Sequence, residues 1–519
     1  MTEAEFVRAC ERVSREIGAY WEGLAGGRGP SVLSSVRPGE ILEKLPLRAP
    51  EVGQPLDEAG MTSVLEDVSG IIMPGITHWQ HPSFFAFFPA NASYPAMLGE
   101  LLCAGLGVQG MLWATSPACT ELETRVLDWL GQALALPASM LSTSGSGGGV
   151  LQGTASEAVL AAIVAGRARA LRAWKQRRQE RPFFTLYTSE QAHSSIVKAA
   201  MVAGLADDAD DRTHVRLVPV DRGLRMRADA LCAMLREDVA RGRLPCFVGA
   251  SVGTTSTTAI DDVGAIVAEV ARACAPVRAE FGVLPWVHVD AAHAGAACIC
   301  PEFQGWLAGL EHADSFCMNP HKWLLTNFDC DCFWTSDRAA LVASMSISPA
   351  YLRNAQSDAG SVIDYRDWHV PLGRRFRALK LWLVMRHYGL EGLRAFVRSH
   401  VLWATELEER VRADARWSVV APRTMNLVCL AVARRAGEGL EHRNARTKAV
   451  MDALNAGGSA YCTHTLVPSE DEDEKGGKVF ALRVAIGATL TRRGDVVALW
   501  EELKKLEREQ ASAAGGGGR

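Results

Sequence analysis

Lys322 stands in the run Ser315 to Leu325, SFCMNPHKWLL, among apolar and aromatic neighbours. An amine held there loses hydration, and because desolvation disfavours the ammonium form its pKa falls. The product is a nucleophile able to condense with a carbonyl. Pro320 and His321 before it and Trp323 after it restrict the backbone, which suits a lysine on a short turn at a strand end. A lone lysine more often lays its stem on apolar surface and keeps its head in water, so the reading depends on the company Lys322 keeps.

That company begins with Asp290, which closes an apolar, β-branched stretch in the run Pro285 to Gly295, PWVHVDAAHAG. An acid at the carboxyl end of a buried parallel strand points into the crevice where open α/β sheets bind ligands. It needs a cationic partner there. A pyridoxal phosphate ring supplies one, since a carboxylate against the pyridine nitrogen keeps it protonated and lets the ring take electrons from a carbanion. A strand-end Asp alone is as often a helix cap; lysine and aspartate together point to the cofactor. Upstream, Gly147, Gly148 and Gly149 approach a helix whose first turn is Thr154 to Glu157. A glycine-rich approach to a helix amino end exposes backbone N–H groups to an anion, which reads as a phosphate cup.

With these residues in place the sequence resembles the group II pyridoxal-phosphate amino acid decarboxylases, and among them the aromatic-L-amino-acid (tryptophan/dopa) decarboxylases. The resemblance runs from about Tyr20 to the late 490s and is carried by THWQHPSFFAFFP from Thr77, SPACTELE from Ser116, GGGVLQGTASEA from Gly147 and QAHSSIVKA from Gln191. It continues through HVDAAHAG from His288, NPHKW from Asn319 and DYRDWHVPLGRRFRALKLW from Asp364. It implies that Lys322 forms the Schiff base, Asp290 meets the pyridinium nitrogen and His193 stacks on the ring. It also implies that Ala155 and Ser156 hold the phosphate, that Asn319, His321 and Ala292 complete the cofactor's surroundings, and that Thr255 and Asp261 lie near its ring hydroxyl and nitrogen. Tyr351, in SPAYLRNAQ, matches the mobile-loop tyrosine that returns a proton to Cα. Phenylalanine there marks the related aldehyde synthases, so tyrosine implies an amine product.

The same resemblance places the substrate side chain against Trp79, Phe87, Phe88, Pro89 and Ala90. A loop of the partner subunit, Val108 to Met111, would lie over it and bring Gln109 and Met111. Gly373 matches a position where glycine accompanies indole substrates and serine phenolic ones, and Ala90 also implies a roomier pocket. Both favour tryptophan, with tyrosine or dopa as the alternative. His293 and Gln109 depart from the tyrosine and isoleucine of animal relatives; an extra histidine could alter the pH profile and a glutamine could bond a ring substituent. An aromatic aldehyde synthase and a non-catalytic scaffold are the other readings. Retention of Lys322, Asp290, His193 and Tyr351 together opposes the scaffold.

The elements that must position these groups follow from periodicity. Helical patterns alternate with short β-branched runs at Thr185 to Tyr187, Val215 to Val220, Cys246 to Val252, Trp286 to Val289 and Cys332 to Thr335. That is the signature of a mostly parallel sheet with helices on both faces, and the resemblance makes it the fold type I of pyridoxal phosphate enzymes. We expect an N-terminal helical and extended segment, residues 1–93, lying on the partner subunit of an obligate homodimer. A large cofactor-binding domain, 94–399, and a small C-terminal α/β domain, 400–519, follow, the latter with strands near Trp417 to Val420, Leu427 to Ala433 and Val479 to Ile486. EDEDEK, 470–475, reads as a solvated loop and the closing glycines as a flexible end.

Composition bounds the function. A formal charge of −4 across 519 residues gives no basic field for nucleic acid. Thirteen cysteines lack paired metal-ligand spacing and the chain opens without an apolar signal core, so we expect reduced thiols, a cytoplasmic protein and no metal. The most apolar long run, Ala96 to Trp113, is broken by Glu100 and Gln109, a poor spanning segment.

Overall fold

The computed structural model describes residues 1–53, 55–347, 356, 362–469 and 476–516, with side chains as far as 512. Its centre is a seven-stranded sheet: β1 (Gly148–Gln152), β2 (Phe184–Ser189), β3 (Val215–Val218), β4 (Leu244–Ser251), β5 (Trp286–Asp290), β6 (Ser315–Met318) and β7 (Asp331–Thr335). The spatial order is β1-β7-β6-β5-β4-β2-β3, with β7 antiparallel to both neighbours and every other pairing parallel. Every strand except β3 is buried along its whole length, which is why these segments read as continuous apolar runs rather than alternating ones. The helix Ala155–Lys175 lies across the sheet, its alanines (Ala158, Ala161, Ala162, Ala165) letting it approach closely.

A second sheet is wholly antiparallel, in the order β10-β11-β9-β8, from β8 (Trp417–Val419), β9 (Leu427–Val432), β10 (Thr463–Pro468) and β11 (Lys478–Ala485). It packs on the helices Ala378–Ala413, Leu440–Gly457 and Arg493–Gly516 around Trp417 and Trp500, whose rings lie 5.5 Å apart. The long helix Ala378–Ala413 changes direction at Gly389, whose φ of 58° and ψ of 177° only glycine adopts without strain. Residues 84 and 85 run alongside this sheet. Phe85 N donates to Tyr461 O at 2.9 Å and Ala485 N to Phe85 O at 3.0 Å, so the chain between Trp79 and Phe87 of the predicted aromatic wall is stitched to the small sheet.

The first helix, Glu3–Ala25, begins in a capping box: Glu5 N donates to Thr2 Oγ1 at 3.3 Å and Thr2 N to Glu5 Oε2 at 2.6 Å. Only Trp21 and Leu24 of this helix are buried, while Phe6, Val7 and Ile17 face outward. Among the described residues no helix is long and apolar enough to cross a membrane.

Three expectations change. Gly148 and Gly149 are not a phosphate loop but part of strand β1, and Gly147 leads into it. They are small because the sheet is crowded there: a Cβ at Gly147 would lie 1.9 Å from Ser139 O, and one at Gly149 would lie 2.8 Å from the indole of Trp334. Strand β10, in THTLVP, goes unforeseen because its residues alternate between half-buried and exposed, leaving no apolar run. Gly515 and Gly516 continue the last helix, while Gly517 and Gly518 lie outside the described residues. The charge run 470–475 lies outside the described residues.

Gly147→Ala is expected to destabilise the protein by about 2 kcal/mol or more, because the clash is with backbone that cannot rotate away. Urea denaturation of the variant beside wild type measures it.

Candidate active site

Strand ends assemble the site. At the carboxyl end of β5, Asp290 Oδ1 accepts from Ala292 N at 3.0 Å; its Oδ2 has no hydrogen-bond donor among the described residues. The turns after β5 and β6 are tied together, Ala291 N to Cys317 O at 3.0 Å and Asn319 N to Ala292 O at 2.9 Å. Pro320–Trp323 then forms one helical turn, its start set by proline, with Lys322 N donating to Asn319 O at 3.0 Å. Lys322 and Asp290 thereby line the same cavity.

These groups line a cavity of about 250 Å³ with Phe88, Thr154, Ala155, Ser156, His193, Ser251, Thr255, Ala292, His293, Asn319, His321 and Phe328. Of the residues singled out for the cofactor, all but Asp261 are on its wall. Desolvation holds the Lys322 amine below the usual lysine range, against the pull of Asp290, Cys317 and Asp331. Desolvation likewise lowers His193, which Asp290 opposes and Lys322 reinforces. Ser195 N donates to His193 Nδ1 at 3.2 Å, so the neutral ring carries its proton on Nε2. His321 is fixed the same way, Cys330 N donating to its Nδ1 at 2.9 Å, and burial pushes it down to about 3.

A phosphorylated pyridine aldehyde fits this donor set. The helix Ala155–Lys175 opens on the cavity with Thr154 making no side-chain cap, and the first N–H groups of a helix have no acceptor within it. An anion belongs there, at the positive end of the helix dipole. Asn319 Oδ1 is buried without a partner among the described residues, as expected of an acceptor that meets a ligand or water. The half-buried amine, the strand-end carboxylate and a flat neutral imidazole at the mouth supply the other three contacts.

The remaining predicted residues divide. Asp261 does not reach the cavity: it is buried beneath β4, where its oxygens accept from Met226 N at 2.6 Å and Ser251 N at 2.8 Å. It shapes the strand end that carries Ser251 instead. Phe88 alone of the aromatic wall lines the cavity, stacked on His293 at 3.7 Å between ring centroids. Pro89 packs against the backbone near Gly487, Ala90 O accepts from Gln80 Nε2 at 2.6 Å, and Trp79 and Phe87 stack on each other at 5.8 Å, both partly exposed. Gln109, Met111 and Gly373 meet elsewhere: Gln109 Oε1 accepts from Arg374 N at 3.3 Å, Met111 O accepts from Arg366 N at 3.1 Å, and a Cβ on Gly373 would sit 3.4 Å from Gln109 Oε1. Tyr351 lies outside the described residues.

His293 is sandwiched between Phe88 and Trp323, with Nε2 2.9 Å from Asn426 Oδ1; because Asn426 Nδ2 donates to Ile486 O at 2.8 Å, its oxygen accepts and His293 donates. Burial pushes His293 down to about 3, so it stays neutral near physiological pH and does not shape a profile there. Sequence reasoning missed Arg483. It is buried in β11, its Nη2 donates to Thr255 O at 2.6 Å, Nε to Ser256 O at 2.9 Å and Nη1 to Phe87 O at 3.3 Å, clamping the loop that bears Thr255 to the small sheet. The available signal was one arginine inside the apolar run VFALRVAIG.

Comparison with known proteins agrees with this geometry. Residues 38–433 match the pyridoxal-dependent decarboxylase conserved domain. The chain is 41% identical to tryptophan decarboxylase 2 of Oryza sativa subsp. japonica over 98% of its own length and 95% of that protein's. It is 42% identical to phenylacetaldehyde synthase of Arabidopsis thaliana over 93% and 91% respectively. The solved structure of Oryza sativa TDC with PLP and tryptamine superposes with a TM-score of 0.89 at 37% identity, covering 98% of this chain and 99% of that one.

Burial pushes the Asp261 carboxyl up to about 6, against the opposing pull of its two backbone donors. Between about pH 4 and pH 6 the folded protein therefore keeps a proton that the unfolded chain has released, and stability falls by up to about 3 kcal/mol as pH rises through that window. From pH 4 to pH 7 the difference in unfolding free energy is expected to move by about that amount in favour of Asp261→Asn over wild type, read from denaturant curves at the two pH values.

Proposed function

The chain belongs to the pyridoxal-dependent decarboxylase family, and from that membership we propose that it decarboxylates aromatic L-amino acids, L-tryptophan to tryptamine foremost. The convergence of Lys322, Asp290, His193 and an uncapped helix terminus on one cavity supports this reading best. Bound pyridoxal 5'-phosphate supplies an aldehyde that condenses with amines and a ring that takes up the electron pair left when CO2 departs.

The chain's own groups do the rest. Lys322 Nζ, whose pKa burial lowers, would be the amine that holds the aldehyde. Asp290 would face the ring nitrogen and keep it protonated, Ala155 and Ser156 N–H groups would hold the phosphate, and Asn319, Thr255 and Ala292 would set the ring's edge. His193 would cover its face and offer Nε2–H to the substrate carboxylate. Tyr351 returns the proton to Cα, which favours an amine over the aldehyde that the phenylacetaldehyde synthases are named for.

A second copy completes the pocket. The helix Tyr94–Leu106 turns Tyr94, Leu98, Leu101, Leu102 and Leu106 outward as one stripe, and Leu42, Leu47 and Val52 of the N-terminal segment are also exposed. Uncovered apolar faces of this size mark an interface, here that of a homodimer in which residues 1–93 lie on the partner. Gln109, Met111 and Gly373, clustered away from their own chain's cavity, would then meet the partner's substrate, with Gly373 leaving room for an indole. Residues 94–399 would bind the cofactor and 400–519 form the smaller domain. With its buried free thiols the protein suits the reducing cytoplasm.

Purified, cofactor-loaded enzyme given L-tryptophan, L-tyrosine, L-dopa or L-phenylalanine separately is expected to release amine without peroxide, tryptamine fastest. Peroxide and aldehyde from wild type would sink the assignment of Tyr351. Tyr351→Phe is expected to cut amine formation by about 100-fold or more, the usual contribution of a general acid. Gly373→Ser is expected to shift the kcat/KM ratio of tryptophan to tyrosine by about tenfold toward tyrosine, as steric discrimination in apolar pockets allows.

A further inference from the structure

Behind Asp290, buried side chains form a hydrogen-bond chain whose direction is set at every step. Register places them on one face of the sheet: Ser251, Asp290 and Cys317 are neighbours across β4, β5 and β6, and His288 and Ser315 are neighbours across β5 and β6 two residues earlier. Cavity-lining Ser251 and Asp290 identify this as the cofactor's face. Trp286 Nε1 is 2.8 Å from Ser315 Oγ and, having only a proton to offer, donates. Ser315 is fully buried, and its one other partner among the described residues is His288 Nδ1 at 2.9 Å. Its hydroxyl proton therefore goes to the imidazole, since a buried donor without an acceptor is costly.

His288 then carries its own proton on Nε2, 3.6 Å from Cys317 Sγ, and burial, which pushes it down to about 4, keeps the ring neutral. The Cys317 thiol is pushed well above its usual range by burial, so it keeps its proton and donates to Asp290 Oδ1 over 3.9 Å, a weak sulfur bond. All four donors thus point one way, toward the carboxylate, and polarise one another along the chain.

The charged and titratable groups around Asp290 make this matter. Lys322 and His193 face it from the cavity side. Asp331, on β7, is fully buried with neither oxygen partnered among the described residues, and burial pushes its carboxyl well above the usual range. Asp290 is the carboxyl that lines the cavity where the cofactor's ring nitrogen would lie. We propose that His288 and Cys317 are positioning residues that fix the orientation of the Asp290 carboxylate for the cofactor's ring nitrogen, the hydrogen-bond chain from Trp286 through Ser315 ending on its Oδ1. The inference rests on the reading of the cavity as a pyridoxal phosphate site.

Pyridoxal 5'-phosphate is titrated into apoenzyme and followed by quenching of tryptophan fluorescence, for wild type, Cys317→Ala, His288→Phe and His288→Gln. Cys317→Ala and His288→Phe are expected to raise the cofactor dissociation constant at least about fivefold. His288→Gln, which keeps an N–H donor, should recover much of that loss. At saturating cofactor, KM for the amino acid should stay near the wild-type value, because none of these residues lines the cavity. Cys317→Ala removes one sulfur atom and serves if the histidine variants fail to fold. Wild-type affinity in Cys317→Ala overturns the proposal, as does a His288→Gln loss equal to that of His288→Phe. Absence of cofactor binding by wild type would sink the cofactor reading as well, which separates the two failures.

Discussion

A lysine amine that shares a cavity wall with the Asp290 carboxyl, its pKa lowered by desolvation, is the constraint on which the rest of the site depends. Burying an ammonium costs several kcal/mol unless it is paired, and here desolvation outweighs the pull of Asp290 and Asp331. The chain meets the cost by shedding charge. Burial pushes the Asp331 carboxyl up, holds His321 and His293 down at about 3, and keeps Cys317 a thiol. These shifts all disfavour charge around Lys322 and Asp290, the amine and the carboxyl that condensation with an aldehyde and protonation of a ring nitrogen call on. A site that kept every acid and base ionised would hold Lys322 as an inert ammonium.

Neutral surroundings of that kind need walls that stay closed, and the walls come from three parts of the chain. Arg483 is the joint. It is a buried cation without a carboxylate partner among the described residues, and its donors are spent on Thr255 O, Ser256 O, Phe87 O and Thr463 Oγ1. Desolvation lowers its pKa, yet a guanidinium stays charged at any working pH. Each of those carbonyls would otherwise need water, which would wet the cavity edge where Thr255 stands. The stack of Phe88 on His293 and His293 on Trp323 seals the adjacent wall without introducing charge.

Legibility in the sequence followed how local each signal was. Lys322, Asp290 and His193 could be found because each sits in a motif whose neighbours announce its setting, and the parallel strands could be found because burial on both faces makes them uniformly apolar. Strand β10 has an exposed face and pairs at a sheet edge, so its apolar residues never form a run. The glycines 147–149 were misread because a glycine permits two things, a loop that cradles an anion and a strand pressed against a neighbour. Only the positions of Ser139 and Trp334 separate these. Asp261 was misassigned for a similar reason: an acid near a strand end can face the ligand or brace the strand, and the direction of its side chain is a tertiary fact.

The least legible feature was the chain behind Asp290, and its invisibility has a physical cause. His288 and Cys317 belong to different strands, and in sequence each is a polar or small residue inside an apolar run, the pattern of an ordinary core position. Parallel pairing brings them together, and the shift by two residues between the rows places Ser315 beside His288 and Cys317 beside Asp290. A buried polar group is tolerated only when its partners are satisfied, so four such groups in register satisfy one another and leave the last donor for the carboxylate. The requirement that no buried proton be left unplaced orients Ser315 and His288, and with them the donor that reaches Asp290 Oδ1.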